Sequence, residues 1–183
     1  TYWASTSGNA YSDNPAITAD GRYTAFVSDS TTLGSGDTNT IRDIFLYDNQ
    51  TATVRRLSLS QQGAQSNGAS NNPAISANGT YVAFSSDATN LALDDTNGFS
   101  DIYVVNALTG VITRVSLSSA GVQANGSNFK PAISATGRYI AWESNATNLI
   151  VAGTNVGVTH IYLRDRDVSG SGTFDTAGNV STV

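Results

Sequence analysis

The chain contains no cysteine and no methionine, and it has one histidine and one glutamate among 183 residues. Without cysteine, neither a disulfide framework nor a thiolate metal site can form. The single acid–base candidates are His160 and Glu143, and no G-x-S-x-G, H-E-x-x-H or P-loop motif accompanies them. A histidine without an orienting partner and a nucleophile does not form a catalytic triad. We therefore predict that the chain is not an enzyme.

Charge is also scarce, and what there is of it is mostly acidic. Charged residues make up 13% of the chain, and 14 acidic against 9 basic residues give a net charge of −5. The largest basic cluster is the pair Arg55 and Arg56. Nucleic-acid binding and polybasic membrane binding both require larger basic patches, and no apolar run reaches the length of a membrane-spanning helix. We expect neither nucleic acid nor membrane insertion.

The chain has only three prolines, Pro15, Pro73 and Pro131, and each is 58 residues from the next. A phrase recurs around them: N-P-A-I-T-A-D-G-R-Y-T-A-F, N-P-A-I-S-A-N-G-T-Y-V-A-F and K-P-A-I-S-A-T-G-R-Y-I-A-W. Self-similarity at a constant period is typical of repeat architectures. The sequence therefore predicts three copies of one structural unit.

Each unit contains four short apolar runs, rich in β-branched and aromatic residues and separated by turn residues, which predicts strands. Asn78-Gly79 is a typical hairpin turn. The small residues Ala25, Ala83 and Ala141 share one repeat position, where they would let neighbouring sheets approach closely. Large apolar side chains point to both faces of these strands, which predicts that each sheet packs against a neighbour on both sides. In the second unit the predicted strands span residues 73–76, 81–86, 101–106 and 112–117.

The predicted fold class is all-β, built from β-propeller blades of four antiparallel strands with a 58-residue period. The blades span residues 1–58, 59–116 and 117–183, and the last has a truncated fourth strand and an insertion at about 166–178. Closed propellers have about 4–8 blades. We therefore expect a larger or assembled propeller, in which the polypeptide continues, several chains combine, or other groups cap the end faces.

The motif A-x-G-x-Y-x-A-F/W, followed by D-I-F/Y-x-x-D/N and T-R-x-S, resembles the WD40-like propeller repeat of the TolB-type (PD40) family. The resemblance covers essentially the whole chain and implies a secreted or periplasmic propeller that serves as a protein-interaction platform or an accessory domain. The second unit supplies its residues as Ala77, Gly79, Tyr81, Ala83, Phe84, Asp101, Ile102, Tyr103, Asn106, Thr113, Arg114 and Ser116.

An acidic loop recurs in the first two units and is the best candidate for a metal site. Oxygen ligands at near-alternate positions are the chemistry that Ca²⁺ prefers. The alternative, which we favour, is a turn in which Asp and Asn side chains bond nearby backbone N–H groups. The third unit has Gly153, Asn155 and His160 instead, so calcium would bind in two units only. The candidate ligands are Asp37, Asn39, Asp43, Asp95, Asn97 and Asp101.

The insertion in the third unit contains Asp167-x-Ser169-x-Ser171-Gly172-x-x-Asp175, whose spacing is similar to that of a calcium loop. Serine replaces two of the three leading carboxylates, which leaves few formal charges for a dication. We therefore expect a flexible Gly/Ser segment there.

The predicted function is that of a non-catalytic extracellular or periplasmic propeller segment, acting as an interaction scaffold or binding module. One alternative is a structural assembly protein that stacks blades between chains in a ring or filament. Another is an accessory domain of a larger secreted hydrolase. The expected partners are a protein, further blades or a second copy. A carbohydrate could also contact the aromatics that depart from the repeat pattern, which are Trp3, Tyr11, Phe99, Phe129 and Phe174.

Overall fold

The computed structural model of the chain describes residues 8–34, 36–150 and 158–183. Every regular element in these residues is a β-strand, and the strands form three sheets of four. The first sheet contains β1 (Ser12–Ile17), β2 (Tyr23–Ser28), β3 (Asp43–Asp48) and β4 (Thr53–Arg56). The second contains β5 (Ser70–Ile75), β6 (Tyr81–Ser86), β7 (Asp101–Asn106) and β8 (Ile112–Arg114). The third contains β9 (Asn128–Ile133), β10 (Tyr139–Ser144), β11 (His160–Asp165) and β12 (Ser181–Thr182).

In each sheet every strand pairs antiparallel with its neighbour in the chain. This arrangement confirms the predicted fold class, and because the three sheets do not close a ring the structure is a partial β-propeller. Each sheet lies within one predicted unit, whose outer boundaries stay a prediction. No helix in the described parts of the chain has the length and hydropathy needed to cross a bilayer.

The first strand of each sheet begins before its proline, not at the proline as predicted. In the second sheet, β5 starts at Ser70, and its pairing with β6 shifts register between Asn71 and Ala74. The residue before each proline has a positive φ: 49° at Asn14, 53° at Asn72 and 46° at Lys130. A bulge at this point leaves the proline nitrogen out of the ladder, so the strand continues on both sides of it.

The fourth strand is shorter than predicted because a serine side chain accepts a hydrogen bond that a backbone carbonyl would accept in a continuing strand. Beyond Arg114, the N–H of Ile102 donates to Ser116 Oγ at 3.1 Å instead of to a backbone carbonyl. The N–H of Ile44 bonds Ser58 Oγ in the same way in the first sheet. The strand therefore ends at the arginine, two residues before the serine.

The hydrophobic core lies between neighbouring sheets. The facing aromatic residues of the second and third strands are buried and stack in pairs: Phe84 on Tyr103 and Trp142 on Tyr162, each at 6.0 Å between ring centroids. The tyrosines that begin the second strands are less buried, and Tyr139 is 39% exposed. The cluster between the first and second sheets includes Ala25, Val27, Ile44, Leu46, Val82, Phe84, Tyr103 and Val105. The cluster between the second and third includes Ala83, Ile102, Val104, Ile140, Trp142 and Tyr162.

The tyrosines that begin β2 and β6 each contact the hairpin turn of the following sheet. A Cβ atom on Gly79 would lie 2.3 Å from Cδ2 of Tyr23, and one on Gly137 would lie 2.4 Å from Cδ2 of Tyr81. The φ angles of these glycines are 73° and 81°. Both the tyrosine ring and the backbone conformation therefore require glycine at these turns.

We expect Gly79→Ala to destabilise the chain more than Gly110→Ala does. Gly110 also has a positive φ, 76°, in the hairpin between β7 and β8, but no described atom lies within 4 Å of its Cβ position. Both variants carry the cost of alanine in the left-handed region, about 1–2 kcal/mol. Only Gly79→Ala adds overpacking against Tyr23, about 1–3 kcal/mol. Urea unfolding measures the difference in midpoint, and equal midpoints would contradict the contact.

Candidate functional site

The acidic residues of the first loop surround an arginine. Arg56 Nη1 lies 3.1 Å from Asp37 Oδ1 and 3.0 Å from Asp43 Oδ2. Ser58 Oγ donates a hydrogen bond to the other carboxylate oxygen of Asp43. The side chains of Arg56 and both aspartates are at most 6% exposed. These four residues form the first arginine cluster.

The second loop builds the same arrangement around Arg114. Its Nη1 lies 3.2 Å from Asp95 Oδ1 and 3.4 Å from Asp101 Oδ2, and its Nη2 lies 3.0 Å from Asp94 Oδ2. Ser116 Oγ donates to Asp101 Oδ1 at 2.5 Å. These five residues form the second arginine cluster, and its arginine side chain is 1% exposed.

Burial works against the charged form of the acids in both clusters. It raises the pKa of Asp43 and of Asp101, although hydrogen bonds from the neighbouring serines and the charge of the arginines favour ionisation. Burial also raises the pKa of Tyr103, whose hydroxyl donates a 2.6 Å hydrogen bond to Asp95 Oδ2. A buried carboxylate without a countercharge is costly, so the arginine is the partner on which the cluster depends.

Each cluster also binds the segment that leads into the next sheet. Gln65 Oε1 accepts hydrogen bonds from Arg56 Nη1 and from the N–H of Thr38, both at 3.1 Å. Gln123 Oε1 accepts the corresponding bond from Arg114 Nη1, also at 3.1 Å. The acidic loops are therefore junctions between sheets.

The predicted ligands Asn39 and Asn97 belong to the same junctions. Asn39 Nδ2 donates to the carbonyl of Ser66 at 2.9 Å, and Asn97 Nδ2 donates to the carbonyl of Ala124 at 3.1 Å. The Asn97 amide also bonds Asp101 Oδ2 at 3.0 Å. Both asparagines thus present amide N–H groups, not free oxygens, towards the next sheet.

Calcium binding at these loops stays a prediction, and the position of the arginines argues against it. A guanidinium lies between the carboxylates in both clusters, where Ca²⁺ would need about 6–8 oxygen ligands. Among the residues that the structure describes, no three histidine, aspartate or glutamate side chains are arranged to hold a metal ion.

The third sheet has a different residue at the corresponding position. His160 begins β11 where the other sheets have Asp43 and Asp101. Its Nε2 is buried and has no hydrogen-bond partner among the described residues. Gly153 and Asn155, which belong to the same predicted loop, lie outside the described residues.

The loop that follows β11 is organised around Asp167, while the flexibility expected for this Gly/Ser segment stays a prediction. The carboxylate accepts hydrogen bonds from the N–H of Ser171 at 3.0 Å, the N–H of Gly172 at 2.6 Å and Asn179 Nδ2 at 2.7 Å. Burial opposes ionisation of Asp167, but these hydrogen bonds together lower its pKa. The serines of the loop therefore bond the remaining carboxylate.

The same loop covers part of the second sheet. The guanidinium of Arg166 lies 5.0 Å from the ring centroid of Tyr81 and 4.8 Å from that of Phe174. Arg166 Nη2 also lies 2.6 Å from Asp175 Oδ2, and its Nη1 donates to the carbonyl of Gly137 at 2.8 Å. Phe174, which departs from the repeat pattern, thus makes an internal contact between sheets.

The one glutamate and the one histidine of the chain, Glu143 and His160, do not contact each other. Glu143 is opposite Ile161 in the ladder and His160 is opposite Ser144. Because successive side chains of a strand point to opposite faces, the glutamate and the histidine lie on different faces of the third sheet. Glu143 Oε2 instead pairs with Lys130 Nζ at 3.2 Å.

The bulged residues of the first strands provide an exposed polar surface. β5 lies against both β1 and β9, so these are the inner strands of the three sheets. The Lys130 side chain is 67% exposed, Asn14 is exposed, and Asn72 is half-buried. Bulges change the direction of a side chain and recur near functional sites. We call Asn14, Asn72 and Lys130 the inner-strand surface.

Sequence reasoning missed the arginines and glutamines of the junctions, although the repeat contains a signal for them. Arg56 and Arg114 are 58 residues apart, as are Gln65 and Gln123. A basic side chain that recurs in register with an acidic loop indicates an ion pair, and that pairing is the more direct explanation of the aspartates.

Comparisons with known proteins show the fold. No protein-family model and no curated protein matches the chain. The solved structure of a putative TolB from Agrobacterium tumefaciens matches 98% of this chain and 50% of its own, with a TM-score of 0.53 and 18% identity. The tricorn protease matches 96% of this chain and 17% of its own, with a TM-score of 0.54 and 14% identity. The β-propeller domain of the Trilobed protease from Pyrococcus furiosus matches 87% and 41%, with a TM-score of 0.52 and 17% identity.

These likenesses support a TolB-like β-propeller fold, and at such identities they show the fold alone. This chain spans at most half the length of each of the three matched chains.

We expect Arg114→Met to destabilise the chain by about 3–5 kcal/mol, because it leaves buried carboxylates without a countercharge. Arg22→Met is the matched control, since Arg22 pairs with Asp48 through a side chain that is 41% exposed. Solvent-exposed pairs contribute little, so the control should shift the urea midpoint far less. Similar shifts for the two variants would contradict the structural role of the second arginine cluster.

We expect the loop around Asp167 to open as the pH falls. The pKa of this carboxyl is lowered on folding, so its contribution to stability is present above the unfolded pKa, about 4, and is lost as the pH falls through the folded value. The protection of residues 167–179 against hydrogen exchange, taken relative to the intrinsic exchange rate at each pH, should therefore fall in acid. Asp167→Asn should exchange faster already at neutral pH and lose this pH dependence; an unchanged profile would contradict the assignment.

Proposed function

We propose that the chain is a non-catalytic β-propeller segment that acts as a protein-interaction scaffold outside the cytoplasm. The observation that carries this proposal is how the polar side chains are distributed. Apart from Asp94, the acids of the two arginine clusters are buried and paired within the chain. On the inner-strand surface, by contrast, Asn14 and Lys130 are exposed.

We propose a non-catalytic role because of the same distribution of polar side chains. The carboxylates of the loops already accept hydrogen bonds from arginine and serine side chains. Glu143 and His160 point to opposite faces of the third sheet. A general acid or base must lie within hydrogen-bond reach of its reacting partner, and among the described residues neither side chain bonds a hydroxyl group that could act as nucleophile.

The inner-strand surface suits recognition of a protein backbone. Its amides and its ammonium supply hydrogen-bond donors and acceptors, and adjacent sheets hold these groups in place. The bulge restricts the backbone of each of these residues, and a restricted residue loses less conformational entropy on binding. The location outside the cytoplasm rests on the resemblance to the TolB-type repeat and on the low-charge composition of the chain.

Glycine substitution at the bulges tests this proposal. Asn14→Gly, Asn72→Gly and Lys130→Gly together remove the side chains while keeping residues that tolerate positive φ. Thr40→Gly is the control, because Thr40 also has a positive φ, 55°, and is exposed in the loop between β2 and β3. The chain would be immobilised and exposed to envelope and secreted proteins of its source, with bound proteins quantified by mass spectrometry.

The expected result is a protein that the parent chain and Thr40→Gly retain equally and that the triple variant retains at least tenfold less. Equal retention by all three, or no specific retention, would overturn the inner-strand surface as the binding site. Turnover of peptide or glycoside substrates by the purified chain would overturn the non-catalytic role.

A role as accessory domain of a larger secreted hydrolase stays an alternative. This alternative also predicts no activity in this segment. It differs in predicting a hydrolase domain in the same polypeptide. The open reading frame that encodes the chain separates the two hypotheses, since a hydrolase domain in the same polypeptide would favour the accessory role.

A further inference from the structure

A pocket opens between the first and second sheets of this chain, beside β4. Its volume is about 350 Å³, at the lower end of the range for ligand sites, about 300–1,000 Å³. The walls come from β4, from the segment that follows it and from the hairpin between β7 and β8. We call this space the outer pocket, and its walls include Arg55, Leu59, Ser60, Gln61, Val105 and Leu108.

Arg55 brings an unpaired positive charge to the outer pocket. Of the nine basic residues of the chain, seven pair with carboxylates, namely Arg22, Arg42, Arg56, Arg114, Lys130, Arg138 and Arg166. Arg164 is buried and donates to the carbonyl of Leu117 and to the hydroxyl of Thr182. Within the part of the chain that the structure describes, only the exposed side chain of Arg55 has neither an ion pair nor a hydrogen bond.

Arg55 lies on the face of β4 that is turned towards the second sheet. It is opposite Leu46 in the ladder, and directly opposite residues share a face. Leu46 belongs to the core between the first and second sheets. The other arginine of the pocket, Arg56, already has Asp37 and Asp43 as counterions. The charge available to a ligand is therefore that of Arg55, which favours an anion.

Two further pockets border the second sheet, and the charged side chains in them are already paired. Arg166 pairs with Asp175 in one of them, and Arg114 pairs with Asp94 in the other. The outer pocket thus differs from both in offering a cation without a counterion.

The outer pocket is also a departure from the repeat. Val105 and Arg164 hold the same ladder position in the second and third sheets. Arg164 Nη1 donates to the carbonyl of Leu117 at 3.1 Å, and Leu117 is the counterpart of Leu59 in the wall of the outer pocket. Between the second and third sheets an arginine side chain therefore fills the space that the shorter Val105 leaves open between the first and second.

We propose that the outer pocket binds the carboxyl terminus of a peptide whose last side chain is apolar. Arg55 supplies the charge for the carboxylate, since a guanidinium and a carboxylate form strong charge-assisted hydrogen bonds. The apolar side chain would lie against Val105 and Leu108, and Leu108 is 72% exposed. Covering apolar surface of this kind favours binding.

Ser60 and Gln61 suit the last peptide group of such a ligand. Ser60 Oγ accepts the N–H of Ala64 at 3.1 Å, which leaves its hydroxyl hydrogen for a ligand oxygen. Gln61 Nε2 donates to the carbonyl of Ile112 at 3.1 Å, which leaves Oε1 to accept a peptide N–H. The pocket therefore offers partners for a carboxylate, an apolar group and an amide.

This inference goes beyond the proposed function, because the outer pocket lies beside the fourth strand of the first sheet and the inner-strand surface belongs to the first strands. The two can fail separately. A chain that retains a protein through Asn14, Asn72 and Lys130 but binds no peptide terminus would overturn this inference and leave the proposed function standing.

A titration of the isotope-labelled chain with acetyl-Gly-Gly-Leu, followed by two-dimensional NMR, tests the proposal. We expect saturable shifts of the amide signals of residues 59–63 and 105–110, which form the walls of the outer pocket. No shift of these signals at the highest soluble peptide concentration would overturn the proposal, as would saturable shifts confined to another surface.

Two further ligands separate the chemical groups. The same peptide with a C-terminal amide lacks the carboxylate, and isocaproate has the carboxylate and the apolar group but no peptide bond. We expect each to bind at least tenfold more weakly than acetyl-Gly-Gly-Leu. Equal affinity of the amidated peptide would overturn recognition of the carboxylate, and equal affinity of isocaproate would overturn the assignment to a peptide terminus.

Two pairs of variants locate the site. Arg55→Met removes the charge, with Arg22→Met as control at a 41% exposed arginine that is not part of the pocket walls. Leu108→Ser removes the apolar wall, with Leu93→Ser as control at an 85% exposed position outside these walls. Arg55→Met and Leu108→Ser should each weaken peptide binding at least tenfold, while the controls should keep the parental affinity.

Urea unfolding of all four variants shows whether each still folds. If Arg55→Met and Leu108→Ser fold and both keep the parental affinity, the peptide binds elsewhere and the proposal is overturned.

Discussion

A buried arginine between aspartates is the interaction on which the junctions of this array depend. Arg56 and Arg114 each neutralise carboxylates that burial would otherwise disfavour, and each also binds a glutamine from the segment that leads into the next sheet. Removing water from such charges is costly unless all partners are present in good geometry. The cluster therefore requires the acidic loop, the fourth strand and the following segment together, which makes the relative position of two sheets part of one polar network.

The apolar contacts between sheets depend on that position. Small residues such as Ala25 and Ala83 let neighbouring sheets approach, and stacked aromatics fill the remaining space. Tyr23 and Tyr81 then reach turns where only glycine fits. The functional proposal follows from this arrangement, because the loop acids serve the junctions and the inner strands are left as a surface for partners.

Much of the fold could be predicted from the sequence, since strand periodicity and turn residues are local properties. The bounds of β6 and β7 agree with the predicted runs at 81–86 and 101–106. The bounds of the first and fourth strands were harder to predict. A bulge before Pro73 lets the first strand begin earlier, and the hydroxyl of Ser116 ends the fourth strand sooner. The candidate site was harder still. Spacing alone could not distinguish a calcium loop from an ion-pair cluster, since the deciding side chain, Arg114, is 13 residues from Asp101 in the chain.

The repeat, the strand content and the positions of the turns follow from the amino-acid sequence, because each depends on residues close together in the chain. The divergence of the third unit, where His160 replaces an aspartate, is also visible there. The role of the aspartates and the organisation of the loop around Asp167 became clear only from the three-dimensional contacts. These features depend on contacts between residues that are far apart in the chain. They also depend on burial, which changes the free energy of a charged group and cannot be read from residue spacing.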